Sequence, residues 1–186
     1  MSTKREDILK ASLKLFNERG FVHTPTSLIA KEANVATGTL FHHFKNKEEL
    51  INTLFLSIIE ELAATMNSCI DPNETLKEQF HTLWRNDIKW GMEHVEKFSF
   101  LKQFGLSKHI SKESQEISLS YCDFAKRIEE AAENNEIDLP DFAYGKNHYI
   151  SNIHMNVDYF MEYPNMYNDE MVEKTFSIYW RSINYA

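Results

Sequence analysis

The sequence predicts an all-α protein of about nine helices, an N-terminal three-helix segment followed by a larger helical body. Apolar residues recur at steps of three and four along nearly the whole chain, and five Gly and four Pro in 186 residues leave too little turn chemistry for a fold of many short strands. A composition of 42% hydrophobic and 26% charged residues belongs to a chain that buries a core. The longest apolar runs, such as Leu54-Phe55-Leu56, fall far short of the ~20 residues that cross a bilayer, and no secretory signal is read at the start. Cys69 and Cys122 are isolated, so neither a disulfide framework nor a metal site is expected, and two free thiols point to the cytoplasm.

Ile8, Leu9, Leu13, Leu15 and Phe16 define a first helix over about residues 4–19, which Gly20 ends. Thr24-Pro25 reads as an N-cap followed by proline in the first helical position, opening a short second helix to Ala33 with Ile29, Ala30 and Ala33 on one side. Asn34, a residue tolerant of left-handed backbone, begins a turn, and a third helix runs from Thr37 to Phe44. Two helices of about two turns, joined by a short turn behind a longer helix, follow the helix-turn-helix plan of DNA readers.

Net charge argues against this at first sight. The chain carries 20 Lys+Arg and 28 Asp+Glu, a formal −8. Residues 1–47, however, hold eight bases and four acids, a charge of +4, which leaves −12 for residues 48–186. The chain is accordingly divided into residues 1–47, which hold the helix-turn-helix, and residues 48–186, two parts built for different partners.

The run Gly20-Phe21, Thr26, Ile29-Ala30, Val35, Gly38-Thr39-Leu40-Phe41-His42-His43-Phe44 and Lys45-Asn46-Lys47-Glu48-Glu49-Leu50 resembles the DNA-binding domain of the TetR family of bacterial regulators. The resemblance implies that Thr26, Ser27, Thr39 and Lys47 hold the DNA backbone. It also sets Thr37, His42 and His43 on the exposed side of the recognition helix, where Thr37 and His42 are assigned to base edges and His43 to phosphate, with Gly38 allowing close approach. Ala36 and Phe41 depart from the Ser and Tyr usual in the family, so a cap or contact hydroxyl and a phosphate-binding hydroxyl are absent; Phe41 retains its flat face for deoxyribose. Leu40 and Phe44 are expected in the core, and adjacent His42 and His43 point in different directions, which argues against a shared metal.

Lys47 also begins a fourth helix, to about Ser68, with Asn46 as N-cap and Glu49 in a capping-box relation. In the family this helix links the DNA-binding domain to the effector domain, so the resemblance implies a DNA reader over 1–47 and an effector-binding and dimerising body over 48–186. A fifth helix is expected over about Glu74–Met92, an aromatic sixth segment through Phe98 and Phe104, a single seventh helix over Lys112–Asn134, and two more over Asp141–Tyr163 and Asn168–Asn184. Trp84, Phe104, Tyr121 and Phe124 are candidates for a ligand pocket, with packed core as the competing reading. By the resemblance the last two helices pair with a second copy, and Ile153, Val157, Phe160, Phe176, Tyr179, Trp180 and Ile183 are the candidate dimer face. The alternative is that they close a monomeric core.

Phosphate loops, Gly-x-Ser-x-Gly and His-Glu-x-x-His are absent from the sequence, so an enzyme is not expected. The expectation is a homodimeric regulator, taken as a repressor, that binds a palindromic double-stranded operator and is released by a small-molecule effector of apolar or cationic character, with no cofactor and no membrane partner. A constitutive architectural DNA binder is the alternative.

Overall fold

The computed structural model describes residues 3–121 and 123–184. Cys122 lies outside the described residues, and Cys69 is an exposed free thiol. Among the described residues there are ten α-helices, one short 3-10 turn and no strand. None of these helices is long and apolar enough to cross a membrane. The chain forms two compact units, one of residues up to Glu61 together with His94–Ser120, the other of Leu62–Glu93 and the chain from Tyr121 onward.

The first unit begins with α1 (Lys4–Arg19). Thr3 accepts from the Glu6 amide and the Glu6 carboxylate accepts from the Thr3 amide, so Lys4 and Arg5 sit on a capped first turn. Gly20 ends the helix at φ 73, a left-handed value that costs a residue without Cβ little, and its N–H donates to the Phe16 carbonyl. The second helix, α2 (Thr26–Glu32), starts one residue later than expected because Pro25, not Thr24, is its N-cap. The Thr24 hydroxyl is buried instead, 2.7 Å from the Gly20 carbonyl oxygen and 3.2 Å from that of Leu15. It ties the turn back to α1 and caps nothing. Asn34 takes φ 53, as the turn before α3 (Thr37–His43) requires.

Leu40 and Phe44 are buried, with Ile8, Phe16 and Ile29 also wholly inside. Beyond them, α4 (Lys47–Asn67) opens with the Asn46 side chain accepting from the Glu49 amide. The Glu49 carboxylate bonds the Lys45 amide rather than that of Asn46, so the box is displaced by one residue. Two further helices, α6 (Val95–Phe104) and α7 (Lys112–Ser120), complete this unit. The Phe100 and Phe104 rings lie 6.5 and 6.1 Å from Phe16, covering a face of α1 that α2 and α3 leave open. The compact units thus divide differently from residues 1–47 and 48–186, because that aromatic cover comes from the later stretch of chain.

The second unit holds the end of α4, α5 (Leu76–Glu93), α8 (Asp123–Glu133), α9 (Phe142–Glu162), the 3-10 turn Pro164–Met166 and α10 (Asp169–Ile183). Asp141 and Asn168 cap α9 and α10 through their side chains. The single seventh helix expected over Lys112–Asn134 is two. Ser118 and Ser120 turn their hydroxyls onto carbonyls three residues back, and the Tyr121 carbonyl accepts from the Asn67 side chain.

Rings fill this unit. Trp84 stacks on Tyr179 at 4.8 Å and donates its indole N–H to Thr175, while Phe80 meets Phe124 at 5.1 Å and Trp180 at 5.6 Å. The seven residues expected on a dimer face lie as follows in this unit. Ile153, Val157, Phe160, Phe176, Tyr179 and Ile183 are buried within the unit, and Trp180 is half-buried against Phe80. A helical stripe reports that a face is buried, not whether a partner chain buries it. Of the pocket candidates, Phe104 packs in the first unit, while Trp84 and Phe124 are core of the second and Tyr121 is half-buried there.

Half-buried among these rings, the Asp87 carboxylate accepts from the Tyr149 hydroxyl at 2.6 Å. Loss of water pushes its pKa up to about 6 against that hydrogen bond. Because the folded value lies above the ordinary 3.8, the stability this carboxyl contributes is complete below pH 3.8 and lost as pH rises through about 6. Asp87→Asn keeps an acceptor for Tyr149 and removes the charge. It should stabilise the protein by up to about 3 kcal/mol near pH 7.5, and by much less near pH 4.5, in urea titrations. An equal gain at both pH values would exclude the buried charge as the cause.

Candidate nucleic-acid interface

The third helix is held as a reader would need. Leu40 is buried, and Phe44, the helix C-cap, is buried behind it. With that side anchored, Thr37, Gly38, Phe41 and His42 are exposed, and Thr39 and His43 are half-buried at the edge. Phe41 is 47% exposed, a large aromatic ring open to solvent. A Cβ added at Gly38 would meet nothing within 4 Å, so the backbone is bare on that side. Ser27 is exposed at the start of α2 and Thr26 half-buried beside it. The His42 and His43 rings lie 5.4 Å apart at 71°. Among the described residues no group of His, Cys, Asp and Glu gathers that could hold a metal ion.

Neither short helix has a side-chain cap: Pro25 and Ala36 occupy the N-cap positions and make no such bond. The missing hydroxyl at Ala36 thus leaves the start of the third helix without the usual intramolecular partner. Arg5 lies over the Phe44 ring at 5.5 Å, and Lys4, Arg5 and Lys45 are all exposed.

Lys47 is different. Its ammonium donates to the Phe21 carbonyl at 2.6 Å and the Thr24 carbonyl at 3.1 Å, and lies 4.2 Å from the centre of the Phe21 ring. Burial lowers its pKa below the usual lysine range, against the attraction of Glu48. The residue expected on DNA phosphate therefore points into the protein here.

Three contacts escaped the sequence reading. The Asn52 side chain donates to the His109 carbonyl at 3.0 Å and accepts from the Ser111 amide at 2.8 Å, and the His109 ring stacks on Phe21 at 4.2 Å and 26°. Partners 57 and 59 residues apart leave no local signal.

Residues 8–54 match the model of the family described as bacterial regulatory proteins, tetR family. Over this segment the chain is similar to that family. The match contains most of α1, all of α2 and α3 and the start of α4, the elements that build the exposed helix face. An uncharacterized HTH-type transcriptional regulator of Bacillus subtilis, YhgD, is 35% identical over 78 residues, 42% of this chain and 41% of that relative. The chain thus spans about two fifths of the length of that curated relative. A crystal structure of a tetR family transcription regulator from Shewanella sp. PV-4 matches all of both chains with a TM-score of 0.91 and 27% identity. The fold is shared at lower identity, 19% with a TM-score of 0.70, by the Bacillus subtilis regulator FadR in complex with stearoyl-CoA, over 94% of this chain and 97% of that one. These relatives are named as regulators of transcription, not as enzymes.

The exposed Phe41 ring invites a direct test. Phe41→Tyr adds a hydroxyl on the outward face without disturbing Leu40 or Phe44. It should tighten DNA binding by roughly 0.5–1.5 kcal/mol, measured by fluorescence anisotropy. An unchanged affinity would remove Phe41 from the interface.

Proposed function

We propose that this chain is a ligand-responsive transcriptional regulator, acting as a repressor, that binds a palindromic operator as a homodimer. The observation that carries the reading is the third helix: Thr37, Gly38, Phe41 and His42 are exposed over buried Leu40 and Phe44, inside the segment that matches the tetR family. Thr37 and His42 contact base edges, while Thr26, Ser27, Thr39, His43 and Lys45 serve the sugar-phosphate backbone.

A dimer follows from the reach of one such helix. It spans a few base pairs, and two copies about 34 Å apart meet successive turns of the major groove. The second copy docks on the outward side of α9 and α10, where Met155 and Ile178 are 59% and 54% exposed. These replace the buried residues first expected there.

The effector acts through the second unit, whose core is unusually rich in aromatic rings. An amphipathic molecule with a long apolar part suits such a core, and the similarly folded FadR with stearoyl-CoA gives the precedent for the class. α4 is covalently common to both units and gives the effector a route to the reader.

The test is binding to the DNA upstream of the protein's own gene, with and without a panel of acyl-CoA thioesters and organic cations. Wild-type protein should bind that DNA, and at least one ligand should lower the affinity 5- to 150-fold, the range of ~1–3 kcal/mol of coupling. Thr37→Ala and His42→Ala should each relax preference at one or two base pairs by ~1–3 kcal/mol. Binding with no ligand response would favour a constitutive architectural role, and no binding at any salt would sink both DNA readings.

A further inference from the structure

We propose that Lys47 serves the reader from within, as a positioning residue that fixes the turn between α1 and α2 to the start of α4. In this arrangement the Phe21 ring is the shared contact through which the segment between α6 and α7 sets the placement of α2 and α3. The inference rests on the DNA-reading function above and specifies how that site is held.

The geometry is a closed loop inside the first unit. Lys47 on α4 holds the Phe21 and Thr24 carbonyls, and its charge lies against the Phe21 ring. The same ring stacks on His109 and on Phe16. His109 is in turn fastened to α4, because the Asn52 amide grips both its carbonyl and the Ser111 amide. Thr24 directly precedes Pro25, the N-cap of α2, so whatever moves Phe21 moves the start of α2.

Chemistry favours the internal role over a phosphate contact. An ammonium has three donors, and two are committed to carbonyls of one turn. To reach DNA, Lys47 would release both carbonyls and leave the Phe21 ring, in a turn whose Pro25 supplies no N–H in exchange. Exposed Lys45 can meet phosphate with no such loss.

Salt dependence separates the two roles. Each phosphate contact by a cation adds about 0.9 to the slope of log affinity against log salt on duplex DNA. The probe is a duplex selected from a randomised library by wild-type protein, compared with an unselected duplex. Lys47→Met should weaken binding to the selected duplex roughly tenfold, within the 5- to 150-fold range of site coupling, and leave the salt slope unchanged. Lys45→Ala removes one contact from each protomer and should lower the slope by about 1.8 per bound dimer. Phe21→Leu alters no charge and should reproduce the Lys47→Met loss, and the double variant should lose less than the product of the two.

Hydrogen exchange without DNA gives a second reading. Amides of Phe21–Thr24 and of Thr26–Ile29 should exchange faster in Lys47→Met than in wild type. A slope that falls by about two phosphates per dimer in Lys47→Met, wild-type affinity in Phe21→Leu, or unchanged exchange would each overturn the proposal. Failure of wild-type protein to select any duplex would instead overturn the DNA-reading function itself.

Discussion

Burial of the Phe16 ring is the constraint on which the reader depends. It is fully enclosed, and Phe21, Phe100 and Phe104 all lie within 6.5 Å of its centre. A three-helix segment of about forty residues has too little interior to hide an aromatic face of this size on its own. The cover comes from α6, contributed by chain far downstream, and α6 then becomes part of the reader's support. Leu40 and Phe44 close the other side of the same core, so the outward face of α3 is fixed by what lies beneath it.

Polar side chains do the rest by holding main chain that has no helix to satisfy it. Thr24 bonds back to the end of α1, Lys47 takes two carbonyls of the following turn, and Asn52 satisfies both a carbonyl and an amide beyond α6. Each replaces backbone pairing in a short connection. The second unit relies on rings stacked between α5, α9 and α10, with the Asp87–Tyr149 pair inside them. The carboxylate there has lost water without gaining a cation, which is why its pKa rises.

The helices and much of the candidate site were legible because their causes are local. Gly20, Asn34, Asp141 and Asn168 act on their own turns through backbone freedom or a capping oxygen, and the apolar steps of α1 and α3 mark the sides that become buried. The exposed set on α3 follows from that same periodicity once Leu40 and Phe44 are inside. Where the reading failed, the deciding partner was distant. Thr24 looked like a cap until Leu15 and Gly20 claimed its hydroxyl, and Lys112–Asn134 looked continuous until the Tyr121 carbonyl met Asn67.

By itself the sequence determined an all-helical chain, the helix-turn-helix segment, a basic first 47 residues and an acidic remainder. Periodicity, capping chemistry and charge are properties of neighbours in the chain, and they suffice for these. Only the tertiary structure decided what covers each apolar stripe and where each long side chain turns. The stripes of α9 and α10 face their own unit because α5 offers Phe80 and Trp84 to pack against. Lys47 turns inward because two carbonyls and a ring converge on it, from 23 and 26 residues away in the chain.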